Sequence, residues 1–227
     1  MLWNKINVDK EIHLSSPMYL EIENTIKLNI EVDENIDTKL VIIGNSDYDI
    51  NINLNENSSL LVNSINKNNS VNVEINLNEK SVITYNHSTL SKNDSINNFK
   101  VNHITSNSTS NLNNNGINLS SNKLFFNIDG IVKKNLSNIV CNQSSKIINF
   151  NLGESKIIPN LIIDSNDIIA NHSAYIGEIG EEEKFYLKSR GINEEDIKKI
   201  IYKAILLGKM ELEEEKEEFN KRINEWW

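Results

Sequence analysis

YDININL at residues 48–54 and SVNVEINL at residues 70–77 decide the fold of this chain. In both segments apolar side chains alternate strictly with polar ones, which is the pattern of a β-strand with one buried face. Short apolar clusters recur about every ten residues from Lys39 to Ala174, a spacing typical of folds with many strands. Because no part of this region has helical periodicity, the sequence predicts an all-β core.

Two architectures fit this pattern, a β-solenoid and a sandwich such as a jelly roll. A sandwich is built from hairpins and favours Asn-Gly or Asp-Gly turns, whereas glycine is scarce here, with eight residues in the chain. A solenoid needs many polar corners instead. Asn fits such corners because it tolerates the left-handed αL backbone and can stack in ladders. The abundant Asn between residues 45 and 151 therefore favours the solenoid, with the sandwich as the alternative.

The sequence pattern divides the chain into three parts. Residues 1–38 are expected to supply one or two strands that cap the first coil, and residues 39–177 the β core. Residues 178–227 carry acidic runs and helical periodicity, with Asn193 as the expected N-cap of an amphipathic helix. The apolar stripe of this helix comprises Ile197, Ile200, Ile201, Ala204 and Ile205. These helices cannot form a core alone, so they must pack on the β stack, on a symmetry mate or on another protein.

The charge balance excludes several kinds of partner. Lys and Arg number 23 against 32 Asp and Glu, and the net charge of −9 argues against a surface for nucleic acid or anionic membrane. No apolar run approaches the roughly eighteen residues of a membrane span, and residues 1–20 lack the apolar core of a signal peptide. Cys141 is the only cysteine, so an internal disulfide is impossible. These features predict a cytoplasmic protein.

A longer block, NHSAYIGEIGEEEKFYLKSRGI at residues 171–192, lies where the strands give way to helices. The helix NEEDIKKIIYKA at residues 193–204 follows it, and VNHITSNSTSN at 101–111 and FNIDGIV at 126–132 precede it. Together, over roughly residues 97–208, these segments resemble the SufB/SufD family of iron–sulfur cluster assembly scaffolds. The chain is similar to a short form of that family. Its members have a right-handed parallel β-helix followed by a C-terminal helical subdomain, and we expect the same here.

The resemblance implies two kinds of protein partner. Family members work as dimers, either SufB with SufD or one protein with itself, which pair through the last strands of their β-helices. Their helical tails each hold a SufC-like ABC ATPase. By this resemblance the expected partner-binding residues are Tyr186, Arg190, Ile197 and Ile201. The chain has no GxxxxGK[ST] motif of its own, so any ATP hydrolysis must come from the partner.

The resemblance also implies a place for the cluster. His172 matches the histidine of the family's SH motif at the dimer interface and is the expected metal ligand, with Cys141 and Glu178 as further cofactor-binding candidates. Ala170 and Ser144 stand where family members carry cysteines, so the chain is SufD-like in its ligand positions. Cys141 precedes Ser144 by three positions and should point to the opposite side of the strand. We therefore expect at most a transient iron–sulfur cluster shared across a dimer, and none held tightly by the single chain.

The remaining candidate side chains carry weaker signals. His87 and His103 lie in strand-like segments without a partner at metal-ligand spacing, so surface or corner positions are expected. Trp226 and Trp227 are either a frayed end or an anchor on a partner groove. The expected function is a non-enzymatic scaffold subunit. The alternatives are a β-solenoid protein-binding module without a cluster role, and a solenoid or cupin-like enzyme, which would need clustered His, Asp or Glu.

Overall fold

The computed structural model describes residues 2–150, 152–212 and 214–226, and within these ranges two parallel β-sheets precede three helices. The odd-numbered strands form the first sheet, in the order β1 (Asn4–Ile6), β3 (Met18–Ile22), β5 (Asp37–Gly44), β7 (Ser59–Lys67), β9 (Val82–Ser91), β11 (Thr109–Asn118), β13 (Ser137–Asn149) and β15 (Asp167–Gly177). The even-numbered strands form the second sheet, in the order β2 (Lys10–Leu14), β4 (Ile26–Val32), β6 (Tyr48–Leu54), β8 (Val71–Leu77), β10 (Ser95–His103), β12 (Lys123–Val132) and β14 (Glu154–Ile163). Each coil gives one strand to each sheet, so the predicted β-solenoid is confirmed and the sandwich is excluded.

Successive coils stack in register, which gives the interior its continuous apolar core. In the second sheet, Ile30, Ile52, Ile75 and Val101 occupy one position in four successive coils, and all four are buried. The segment YDININL, now β6, alternates buried and partly exposed residues along its whole length, as its sequence predicts. Burying one such aliphatic side chain contributes about 1.5–3 kcal/mol. Every added coil therefore extends the same core.

Asparagine forms the corners of the coils and stacks along their outside. Within the described ranges, the non-glycine residues with positive φ are Lys80 and the asparagines Asn35, Asn57, Asn68, Asn107, Asn135 and Asn138. Along the outside of the second sheet, the amide of Asn98 donates to Asn72 at 2.6 Å and that of Asn127 donates to Asn98 at 2.7 Å. Both roles expected of Asn, the αL corner and the ladder, are confirmed.

The N-terminal segment is continuous with the solenoid. Strands β1 to β4 all lie within residues 1–38 and belong to the two sheets of the later coils. Leu20 of β3 lies opposite Ile42 of β5, and both are buried. These residues therefore supply four stacked strands where one or two cap strands were expected, and no change of architecture occurs at residue 39.

The helices are α1 (Glu181–Ser189), α2 (Glu194–Leu207) and α3 (Glu215–Trp226). Asn193 caps α2 as expected, because its Oδ1 accepts a hydrogen bond from the backbone N–H of Asp196 at 2.9 Å. The C-terminal region packs on the outer face of the first sheet in a second apolar cluster, formed by Val41, Ile43, Ile65, Leu90 and Ile117 of the sheet and by Tyr202, Leu206, Met210, Phe219, Ile223 and Trp226. No helix in the described ranges is long and apolar enough to cross a membrane.

The buried face of α2 differs from the predicted stripe. Ile197, Tyr202 and Leu206 are buried, whereas Ile200 and Ala204 are exposed. Trp226 lies in the apolar cluster, so it is neither a frayed end nor an anchor for a partner. Trp227 lies outside the described residues. The helix is apolar on two sides, so periodicity alone could not decide which side faces the sheet.

Two ion pairs attach α3 to the first strands of the solenoid. Glu215 is buried and accepts from Lys39 Nζ at 2.6 Å, and Arg222 reaches the buried carboxylate of Glu21 at 2.8 Å. A buried carboxylate is tolerated only when a cation pairs with it. These pairs therefore fix the position of α3 along β3 and β5.

His87 and His103 lie in the solenoid interior, so the surface or corner positions expected for them are wrong. The ring nitrogens of His87 are each 2.9 Å from a hydroxyl, Nδ1 from that of Ser64 and Nε2 from that of Thr89. His103 bonds two serine hydroxyls at 2.7 and 3.0 Å. Burial lowers the pKa of His87 to about 3 and the pKa of His103 to about 4. Both rings are therefore neutral core residues.

The burial of His87 makes the free energy of unfolding depend on pH. Its pKa is about 3 when folded and about 6.5 when unfolded, so below roughly pH 6.5 only the unfolded state binds the proton. The stabilisation is complete above that value and is lost as the pH falls towards 3. At about pH 5 the loss for this residue should be about 2 kcal/mol. Urea unfolding of His87→Gln should therefore show a drop between pH 7 and 5 that is about 2 kcal/mol smaller than in the wild type. The exposed His13→Gln control should keep the wild-type drop, and an unchanged drop in His87→Gln would contradict the prediction.

Candidate functional site at the open end of the solenoid

The last coil leaves both sheets with an edge. Within the described residues β15 pairs with β13 alone and β14 with β12 alone. Apolar side chains of β15 are exposed at this edge, with Ile169 at 62% and Tyr175 at 53%. The helices α2 and α3 lie along the first sheet instead of over this end. A parallel edge with free backbone groups and apolar side chains is a template for pairing with another chain.

His172 lies in the middle of β15, and its side chain is exposed. Its register partner in β13 is Gln143. The neighbouring residues Asn171 and Ser173 hydrogen-bond to side chains of β13 at 3.1 and 3.2 Å. These residues line a shallow polar groove of about 370 Å³. The strand is thus well fixed while the imidazole stays accessible, which suits a metal ligand or a proton carrier.

The thiol of Cys141 is enclosed in the core. Its residue is 1% exposed and its Sγ fills the space left by Gly130, where an added Cβ would lie 2.6 Å from it. Ser144 is partly exposed and bonds Ser173, so the two residues lie on opposite sides of β13 as expected. Burial raises the pKa of the thiol, with a smaller opposing effect from a hydrogen bond to Ser110. A buried, protonated thiol is not available to iron in this arrangement.

Gln143 is a residue of this site that the sequence pattern did not single out. It is buried in β13, and its Nε2 donates to the backbone oxygen of Asn160 in β14 at 3.1 Å. Its Oε1 is buried without a hydrogen-bond partner among the described residues. An unsatisfied buried acceptor costs about 1–3 kcal/mol. Its only sequence signal was its place before Ser144, and the free acceptor could not be predicted without the coil above it.

The structure does not bring the expected ligands together within one chain. Glu178 is exposed in the segment after β15, His172 is exposed in the strand, and Cys141 is buried beneath it. Across the three described ranges, no three His, Cys, Asp or Glu side chains form a group that could hold a metal ion. The expected ligand set is therefore not assembled in the described part of a single chain.

A second exposed apolar surface lies on the helices. Phe185 and Tyr186 of α1 are 74% and 56% exposed. The Arg190 guanidinium lies 5.3 Å from the Tyr186 ring centroid and donates to its hydroxyl at 3.3 Å. Tyr186 and Ile201 line a shallow groove of about 420 Å³. Of the four residues expected to bind a partner, Ile197 alone is buried, at 2% exposure, so the accessible surface is formed by the other three.

The sequence of the chain can now be compared with known families. It matches the family model for "SUF system FeS cluster assembly, SufBD core domain" over residues 45–205, which run from just before β6 into α2. The chain belongs to the SufB/SufD family. This match extends further towards the N-terminus than the segments that first suggested the family. It includes both His172 and Ser144.

One curated member of the SufB/SufD family shows how partial the likeness to characterised proteins is. The chain is 42% identical over 53 residues to the iron-sulfur cluster assembly protein SufD of Escherichia coli (strain K12). That segment is 23% of this chain and 12% of the E. coli protein. The shared segment supports family membership, while the activity and partners of the whole relative come to this chain only as proposals.

The enclosure of Cys141 predicts a chemically slow thiol. In the native protein, reaction with a disulfide reagent should be at least about 100-fold slower than in urea, because the thiol reacts only after local opening. The matched control is Ser144→Cys in a Cys141→Ala background, which moves the only thiol to the partly exposed side of the same strand. That variant should react far faster than the wild type. Equal rates for the two native proteins would contradict the assignment of Cys141 to the core.

Proposed function

We propose that the chain is a non-catalytic scaffold subunit of a cytoplasmic SUF-type complex. In this proposal it dimerises through the open end of its solenoid and docks a SufC-like ABC ATPase through its C-terminal helices. The observation that carries the proposal is the exposed edge strand β15 with His172 at its centre, in a chain of the SufB/SufD family. A family that assembles clusters on scaffolds needs an accessible ligand at a surface where two chains can meet.

Dimerisation accounts for the exposed edge. Pairing of β14 and β15 with strands of a second subunit would satisfy their free backbone groups and cover Ile169, Tyr175 and Ile176. The second subunit is either another copy of this chain or a SufB/SufD paralogue. In a symmetric homodimer, a two-fold axis near the middle of β15 would bring two copies of His172 to one interface.

An iron–sulfur cluster would be the cargo of that interface. His172 offers a nitrogen ligand, and Glu178 offers a carboxylate on the exposed segment that follows. The thiolates that iron prefers would come from the partner, because Cys141 is buried and Ser144 is a poor ligand. On this basis the chain holds a cluster only while it is paired, and only transiently.

The ligand role of His172 is tested by anaerobic iron and sulfide reconstitution of the dimer. Replacing His172 by Ala should lower the bound iron and sulfide severalfold, because one ligand is lost, while sedimentation still shows a dimer. The variants His13→Ala, at another exposed histidine, and Cys141→Ser should keep the wild-type content. Unchanged content in His172→Ala would remove it as a ligand. A wild-type chain that holds no cluster, alone or with a SufB-type partner, would favour the binding module without a cluster role.

The ATPase would dock on α1 and the outward side of α2. Aromatic and arginine side chains dominate binding energy at protein interfaces, and Phe185, Tyr186 and Arg190 present them on α1. Ile200 and Ile201 of α2 add accessible apolar area beside them. Ile197 would contribute indirectly in this proposal, because it is buried and holds α2 in place.

Point substitutions test docking better than truncation does. Removing α2 and α3 would uncover the outer face of the first sheet, so a loss of binding would be hard to assign. The double variant Phe185→Ser and Tyr186→Ser should raise the Kd for the ATPase at least about tenfold, which is about 1.4 kcal/mol. The control Val8→Ser and Leu152→Ser removes two equally exposed apolar side chains elsewhere and should leave the Kd unchanged in calorimetric titration. Equal affinity of the two double variants would rule out docking at this surface.

A further inference from the structure

A pocket between the helices and the solenoid is lined by lysines. Its volume is about 500 Å³, within the range of small-molecule sites. It lies where the residues that follow β9, β11 and β13 meet α1 and α2. The lysines are Lys92 from the solenoid, Lys184 and Lys188 from α1, and Lys198 from α2. Among the described residues that line the pocket, Glu194 is the only acidic one.

The charge balance of this pocket is opposite to that of the whole chain, whose net charge is −9. Glu194 pairs with Lys188 at 3.2 Å, and Lys184 pairs with Glu181 at 2.6 Å. The hydrogen bond and charge of Lys188, with the charges of Lys198 and Lys184, hold the pKa of Glu194 below its usual value. Four lysines against these two carboxylates leave an excess of positive charge. A cleft with such a lining concentrates anions.

The remaining lining of the pocket is apolar and aromatic. The rings of Phe150 and Tyr202 meet edge to face, with centroids 4.4 Å apart and planes at 85°. Leu119, Ile179 and Ile197 complete this part of the lining. The pocket thus combines cationic side chains with an apolar surface large enough for a planar ring.

Packing of the helices does not account for the lysines. The apolar cluster and the ion pairs at Glu215 and Arg222 already attach the helical region to the solenoid. Like charges held around one cavity repel each other unless an anion lies between them. Lysine is a common ligand of phosphate groups, to which it presents a compact point charge.

We propose that this pocket binds a phosphate-bearing small molecule whose other end is apolar or aromatic, as in a nucleotide. The phosphate would lie among the lysines and the ring against Phe150 and Tyr202. Because the lining comes from the solenoid, α1 and α2, the bound ligand would connect all three and stabilise their arrangement. This site is separate from the open end of the solenoid and does not depend on a cluster or an ATPase.

The test uses ADP and pyrophosphate as probes, added to the full chain without any partner protein, at about 0.1 M salt. Calorimetric titration should show that ADP binds, and that it binds at least about tenfold more tightly than pyrophosphate, because only ADP has a ring for the aromatic lining. The double variant Lys188→Gln and Lys198→Gln should raise the Kd for ADP at least about tenfold. The control Lys199→Gln and Lys203→Gln makes the same change of charge at lysines outside the lining, and should shift the Kd less than about twofold.

A second variant guards against a folding artefact. Lys92→Gln alters the solenoid side of the pocket without touching the helices and should also weaken ADP binding. Circular dichroism should show the wild-type fold for each variant before titration. Absence of ADP binding at millimolar concentration, or equal weakening by the pocket and control variants, would overturn the proposal. Equal affinities for ADP and pyrophosphate would overturn the ligand class, since the apolar lining would then have no part in binding.

Discussion

Parallel, in-register stacking of one coil on the next constrains nearly every residue of the solenoid. A residue lies above and below residues at the same position of neighbouring coils, so each position must hold a chemistry that tolerates its own repetition. Aliphatic side chains meet this condition inside, as in the column from Ile30 to Val101. Amides meet it outside, because each carboxamide can donate to one neighbour and accept from the other, as in Asn72, Asn98 and Asn127. Composition, alternation and corner chemistry all follow from this requirement.

Stacking must stop somewhere, and its end determines where the chain can meet another. At the last coil the columns lose their upper neighbour, so residues that would be buried one coil earlier become accessible. His172 is such a residue, since its register partner Gln143 is buried while His172 itself is exposed. The C-terminal helices could have covered this end, but they run back along the first sheet and are fixed to β3 and β5 by two ion pairs. The fold therefore stabilises its flank and leaves its end open.

Much of this architecture could be predicted from sequence, because alternation and turn chemistry are local signals. Features that depend on neighbouring coils could not. His87 is neutral and buried because Ser64 from the preceding coil and Thr89 bond its ring, and nothing in the sequence connects those positions. The orientation of α2 was wrong because both sides of the helix carry isoleucine or leucine, and the sheet chose the side with Tyr202 and Leu206. The lysine pocket was invisible for the same reason, since Lys92 and Lys188 are brought together only by the fold.

The position of α2 links the proposed docking surface to the open end. One side of α2 lies beside α1, and the other lies on the first sheet, where Ser88 Oγ of β9 donates to the backbone oxygen of Leu206 at 2.5 Å. From β9 the strand pairing continues through β11 and β13 to β15 and His172. Contiguity of this kind is a precondition for coupling and not a demonstration of it, because coupling needs an element with two arrangements. The buried pairs at Glu21 and Glu215 make α3 the fixed part. Movement driven by a partner would then fall on α1 and the first turns of α2, the same elements that form the lysine pocket.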